Sequence, residues 1–340
     1  MSKYTGEKFD YVMAEMKLNK KMNISDACRK MCDVFGMEYS ENVRKGISRI
    51  IHKDKEKNPK SDEFKKAQKK KLDKKNKTFI ITYAQNDTPV HKQFFENILA
   101  YTKELKASLH VIAGRYKNPT SIYTTREEAG EWWVDEVKPY LDANRHNLHK
   151  HLQVLSDVKV SPTASNPLSG LNSITGLESC IIGHPRQHLK SLPVLNGYPN
   201  KLLLSTGACT RANYTDSKSG KKGEFHHMLG FIIVEIDGKD FHIRQVNSDD
   251  NGDFYDLFKR VKGGKVTKNT EGCEAAILGD IHISQVDKEA ESAAFALLDK
   301  MKPKHTIIHD IFNGQSISHH TKRYPFELME LEETGKGDVE

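Results

Sequence analysis

The pattern that most narrows the fold is strand, helix, strand, met twice. Lys77-Thr-Phe-Ile-Ile-Thr-Tyr-Ala84 is an apolar run of strand length. His91 to Lys106 carries Phe94, Phe95, Ile98 and Leu99 as an inward face, and Leu109-His-Val-Ile-Ala-Gly114 is a second strand. The order recurs late in the chain, with Glu274-Ala-Ala-Ile-Leu-Gly-Asp-Ile-His-Ile283, a helix from Lys288 to Met301, and His305-Thr-Ile-Ile-His-Asp-Ile-Phe312. The apolar residues Ala293, Ala294, Ala296, Leu297 and Leu298 of the late helix suit one buried stripe. A strand reached from its predecessor through a helix lies parallel to it, whereas an antiparallel neighbour needs only a tight turn. Two such units predict an α/β protein. Neighbouring strands then end together at one rim, where open α/β sheets hold their ligands.

The late unit delivers Asp280 and His282 from its first strand and Asp310 from its second. Carboxylates on adjacent strand ends suit two divalent cations with one shared oxygen ligand, and a neutral imidazole selects Mn, Fe or Zn over Ca. Two ions about 3.5–4 Å apart clamp a phosphate ester and lower the pKa of bound water toward about 7. The bland alternative is a turn in which Asp280 caps the following helix and His282 packs on it.

Gly279-Asp-x-His282 after a strand, followed by a strand ending in Asp310, resembles the opening blocks of calcineurin-like metallophosphoesterases. Within that superfamily it is most similar to the phage-encoded DNA-repair-exonuclease branch, over about residues 273–320. The resemblance implies that Asp280 and His282 bind one metal, that Asp310 bridges two, and that the ions are divalent, with Mn expected. His319 and His320 match no motif block and are the remaining candidates for catalytic groups beside the metals. His309 stands where the family usually has Gly, and the family's Asn-His and Gly-His-x-His blocks do not follow. Residues 273–340 are too few for a complete two-sheet sandwich. A longer polypeptide or a second subunit, such as a homo-oligomeric partner, is therefore expected to complete the site.

The five cysteines, Cys28, Cys32, Cys180, Cys209 and Cys273, form no C-x-x-C pair and point to a reduced compartment, a host cytoplasm if the chain is phage-encoded. No run approaches a membrane span, and no membrane partner is expected. In residues 1–52, Asn23 or Ser25 can cap a helix carrying Ala27, Met31 and Val34; Gly36 breaks it and Ser40 can start another carrying Val43, Ile47 and Ile50. That pair resembles a helix-turn-helix and would offer Arg44, Lys45 and Arg49 to DNA. Residues 53–77 hold twelve lysines against five acids, a surplus equal to the +7 of the whole chain. This basic linker buries no face, and Lys69, Lys70 and Lys71 can bind nucleic acid by releasing counterions.

Residues 78–248 are expected as a central mixed α/β domain. Its strand ends carry Asn86-Asp87 and Gly114-Arg115 where the late unit has Asp-x-His and Asp, so it resembles a metallophosphoesterase copy with its ligands replaced. Such a tandem would bind with the first copy and cut with the second. Alternatively His184, His188, His226 and His227 form an independent metal site. Residues 121–157 carry an amphipathic segment with Trp132 and Trp133, and Ser217 to Lys222 reads as a mobile basic loop. A hairpin turns at Asp237-Gly238, Asn247 to Gly252 is a loop without EF-hand spacing, and 249–272 reads as a linker.

The expected architecture is thus a small N-terminal helix-turn-helix, a metallophosphoesterase-like mixed α/β domain, and an incomplete β-α-β opening unit at 273–340. The expected function is hydrolysis of DNA phosphodiesters by a metal-dependent phosphoesterase. The rival is a non-catalytic DNA-binding or host-interaction protein whose phosphoesterase unit is inert.

Overall fold

The structure is a computed structural model describing residues 6–19, 22–48, 66–71, 76–86, 88–115, 133–195, 197–282, 286–312 and 323–335. The chain falls into two compact units, Met1–Lys70 and Lys71–Glu340.

The first unit is helical. Helix α1 spans Glu7–Leu18, α2 spans Ile24–Val34, and residues 41–48 are helical. Asn23 caps α2 by accepting the Asp26 N–H at 2.9 Å, and Ser40 Oγ accepts from Val43 N at 3.4 Å. Gly36 turns the chain at φ +59°, and Met37 N–H reaches back to Cys32 O at 2.8 Å. That six-to-one bond needs a left-handed residue, which glycine supplies without strain. The helix pair therefore stands as expected, with α1 added. Val12 of α1 joins Ala27, Cys28, Met31, Cys32, Val43 and Ile47 in one core.

The second unit is mixed α/β, and its centre is two stacked five-stranded sheets. In chain order come β1 (Thr78–Ala84), helix α3 (Lys92–Glu104), β2 (Ser108–Ala113), β3 (Leu141–Asp142), β4 (Arg145–His149), β5 (Leu152–Leu155), β6 (Ser179–Ile182), β7 (His188–Leu192) and β8 (Lys201–Ser205). Helix α4 (Lys218–His226) and the hairpin β9 (Gly230–Asp237) and β10 (Asp240–Asn247) follow. The first sheet runs β10-β9-β1-β2-β3, with β1 parallel to β2 through α3. The second runs β4-β5-β6-β8-β7, with antiparallel edges on a parallel centre. Phe79, Ile81, Tyr83, Ile112 and Ile232 of the first sheet meet Leu152, Val154, Ile181 and Leu204 of the second. Sheets facing each other this way bury alternate residues of each strand. On the other face of the first sheet α3 buries Phe94, Phe95, Ile98 and Tyr101.

Three stretches differ from expectation. Residues 249–272 are not a plain linker, since β11 (Phe254–Asp256), β12 (Lys259–Lys262) and β13 (Lys265–Lys268) form an antiparallel sheet. Asp256 anchors it by accepting from Tyr101 Oη at 2.6 Å and Arg244 Nε at 2.7 Å. Gly252, at φ +87°, brings the backbone so close to α3 that a Cβ there would lie 2.7 Å from Phe94 N. The Asp, Asn and Gly content that reads as linker is the turn chemistry of this sheet. Within 121–157 the described residues from 133 onward form short turns and strands, with Trp133 buried and its Nε1–H on Ala84 O at 3.4 Å. Ser217 caps α4 by accepting from Gly220 N at 3.1 Å, so the basic stretch beyond it is helical.

The chain closes with β14 (Ala275–Leu278), helix α5 (Lys288–Met301), β15 (His305–Ile308) and helix α6 (Pro325–Glu333). The two strands pair in parallel from Ala275 opposite His305 to Leu278 opposite Ile308. Asp287 starts α5, its carboxylate accepting from the Glu289 and Ala290 N–H groups at 2.9 Å. The stripe expected on α5 is not covered: no residue of the helix is buried, and every residue of β15 is exposed. Among the described residues no helix is long and apolar enough to cross a membrane.

Candidate metal centre at the strand ends

The late strands end side by side, but the side chains of Asp280, His282 and Asp310 do not all come within 4.8 Å of one another. Gly279-Asp280 follows β14 and His309-Asp310 follows β15, and the register sets them side by side. The pairing continues past the strands through His309 N–H on Leu278 O at 3.3 Å and Ile281 N–H on Asp310 O at 2.6 Å. These bonds fix the backbone that carries Asp280, His282 and Asp310. His282 Nε2 lies 3.8 Å from Asp310 Oδ2, too far for a hydrogen bond. Asp280 Oδ1 instead lies 2.5 Å from His309 Nδ1, and that hydrogen bond raises the His309 pKa above the ordinary imidazole value. Asp310 Oδ1 accepts from Phe312 N–H at 3.0 Å. All four side chains are solvent-accessible, His282 least at 37%.

The donor set fits a divalent ion. A first-row metal roughly 2.0–2.2 Å from a carboxylate oxygen and an imidazole nitrogen holds ligands about 3–4 Å apart, the spacing of His282 and Asp310. Asp280 shares the rim with them but faces His309. His309 is the hydrogen-bond partner that orients Asp280. His319 and His320 lie outside the described residues, as do Arg49 and Asp87. Arg44 forks onto Glu41, its Nε 3.0 Å and Nη2 2.9 Å from one carboxylate oxygen. Lys45 lies in the helical stretch 41–48, and Lys69, Lys70 and Lys71 follow a short helical turn at 66–68.

The four central histidines do not gather into a site. His184 is buried, its Nδ1 accepting from Arg186 N–H at 3.0 Å and its Nε2 donating to Ser161 O at 2.9 Å. His227 bonds Thr210 O at 2.9 Å and Tyr214 Oη at 3.2 Å. Burial lowers both pKa values to about 4, so each ring is a neutral strut between backbone segments. His188 opens β7 and His226 closes α4. The ends of β1 and β2 carry no carboxylate among the described residues. Gln85 is fully buried after β1, and Arg115 after β2 donates to Asp157 O at 2.7 Å.

A different cluster escaped the sequence reading. Among the described residues, His110, Asp142 and His146 alone bring three ligand-type side chains within 4.8 Å of one another, and all three are buried. A histidine inside the apolar run of β2 and the spacing Asp142-x-x-x-His146 were its traces in the sequence.

No protein-family model matches the chain. Protein A1 of Escherichia phage T5 is 31% identical to it over 261 residues, which are 73% of this chain and 47% of that protein. The chain is similar to that phage protein over this span. It spans about half the length of that curated relative. A solved structure, Chaetomium thermophilum Vps29, covers 51% of this chain and 92% of its own at 10% identity and a TM-score of 0.27, a superposition too loose to define a shared fold.

Proposed function

We propose that the chain is part of a phage-type, metal-dependent phosphodiesterase acting on DNA, with Asp280, His282 and Asp310 as ligands of two divalent ions, Mn foremost. One observation carries this reading: the two strand ends are tied backbone to backbone, so that a carboxylate and an imidazole stand 3.8 Å apart, with Asp280 on the adjoining strand end. Bound there, the ions would supply charge neutralisation at the phosphate and water of lowered pKa. The protein's own part is positional. The Ile281 N–H holds the Asp310 backbone, Phe312 N–H holds the Asp310 carboxylate, and His309 holds that of Asp280. The basic segment with Lys69, Lys70 and Lys71 would gather the polyanion through counterion release, an affinity that falls steeply with salt.

The test is Mn-dependent hydrolysis of bis-p-nitrophenyl phosphate and of linear duplex DNA by the purified chain. Asp280→Asn and Asp310→Asn should each lose at least about 100-fold in rate, a scale set by the several kcal/mol a metal supplies. Unchanged rates in either variant overturn the assignment. DNA binding without hydrolysis would favour the inert-unit reading, which the exposed faces of β14 and β15 support.

A further inference from the structure

We propose that His110, Asp142 and His146 form a second, structural metal site for a zinc-type divalent ion, independent of the strand ends at β14 and β15. The fold itself produces the convergence. Ile112 pairs with Asp142 across β2 and β3, and His110, two residues back along β2, projects to the same face. The chain then crosses from β3, an edge of the first sheet, to β4, an edge of the second, bringing His146 onto the same carboxylate. Three elements of two sheets thus meet at one oxygen.

The distances are those of hydrogen bonds that close the cluster on itself. His110 Nδ1 lies 2.8 Å and His146 Nε2 2.7 Å from Asp142 Oδ2, while Oδ1 is occupied by the Asn144 N–H at 2.9 Å. The side chain of Asp142 is fully buried and both imidazoles are 6% exposed. A carboxylate taken wholly out of water calls for a cation, and the partners of this one are the two imidazoles. A zinc ion about 2.0–2.1 Å from each ligand requires these atoms to separate by only several tenths of an ångström, a small rotation at each side chain. Two imidazoles and a carboxylate are a donor set for zinc rather than for calcium or magnesium, and the fourth position is left for water. So placed, the ion would clip the two sheets where the chain passes between them.

The test uses the full chain, purified without chelator, and measures metal content by plasma mass spectrometry. To keep the strand-end ligands out of the count, the Asp280→Asn/Asp310→Asn double variant is measured beside wild type. The double variant should hold about one equivalent of zinc, and wild type no less. After stripping and reloading with Co²⁺, both should show the visible absorption of a four-coordinate site, and stripping should lower Tm. His110→Ala and His146→Ala should lose the ion and the absorption. If those variants do not fold, the double variant decides alone. Failure of the folded double variant to take up zinc or Co²⁺ stoichiometrically would leave a hydrogen-bonded triad and overturn the proposal. That outcome would say nothing against Mn-dependent hydrolysis at Asp280 and Asp310.

Discussion

The two strand–helix–strand units share a plan and differ in what covers them. In β1 and β2 every residue after the first is buried, and α3 contributes Phe94, Phe95, Ile98 and Tyr101 to the core. In β14 and β15 no residue is buried, and α5 buries none. Parallel strands are normally covered on both faces, and among the described residues the late unit is left uncovered. The strand ends differ in the opposite sense. The covered unit ends in Gln85 and Arg115, spent on packing and on backbone carbonyls, and the open one ends in Asp280 and Asp310, accessible to an ion. Ligand chemistry and burial have parted company between two copies of one topology.

The strongest way to break this comparison is to truncate one apolar side chain in each unit. Phe94 is fully buried, with the rings of Phe231 and Phe254 both 6.1 Å away, so Phe94→Ala should cost about 3–5 kcal/mol in urea unfolding. Ile307 is 50% exposed, and Ile307→Ala should stay within about 0.5 kcal/mol. A large loss at Ile307 in the isolated chain would mean that its face is covered after all, by a second copy or another segment.

Much of this contrast was legible and part was not. The strands, α3, the turn at Asp237-Gly238 and the Asn23 cap follow from spacing and turn chemistry, which are local. A strand–helix–strand unit also fixes which ends adjoin, and so sets Asp280 beside Asp310. The three side chains of Asp280, His282 and Asp310 nonetheless do not gather within 4.8 Å of one another, since Asp280 turns to His309. The order of the second sheet, the three strands within 249–272 and the His110–Asp142–His146 cluster depend on partners far away in sequence. His110 and Asp142 are 32 residues apart on strands whose adjacency no local pattern announces. Apolar residues at 277 and 307 mark a strand, yet nothing in them tells whether a second layer is present.

Acid should bear next on the two covered sheets, where His184 follows β6. Burial lowers His184 from the ordinary 6.5 to about 4, so between those values the unfolded chain takes up a proton that the folded chain refuses. Stability is therefore full above pH 6.5 and declines as pH falls toward 4, with about 3 kcal/mol at stake for this group. His227, lowered to about 4 by burial, acts in the same direction. Urea midpoints measured from pH 7 to pH 4 should fall for wild type and fall less steeply in His184→Gln, where His227 remains. An unaltered slope in that variant would place the acid sensitivity elsewhere.

The finest comparison concerns two glycines, each directly following a strand of a parallel pair. A Cβ on Gly114, after β2, would stand 2.5 Å from Tyr83 Oη and 2.7 Å from the backbone oxygen of Ala84. The carbonyl cannot swing aside, because it accepts the Gly114 N–H at 2.8 Å. Gly114→Ala should therefore cost about 1–3 kcal/mol through overpacking. A Cβ on Gly279, after β14, would meet nothing within 4 Å, and its φ is not in the left-handed range, so Gly279→Ala should leave the urea midpoint unchanged. Its hydrolytic rate adds a second reading. If Gly279 is bare because substrate or a missing layer approaches the strand end there, alanine should slow Mn-dependent turnover while the stability of the isolated chain stays constant. Equal stability losses at both glycines would remove the distinction between a closed strand end and an open one.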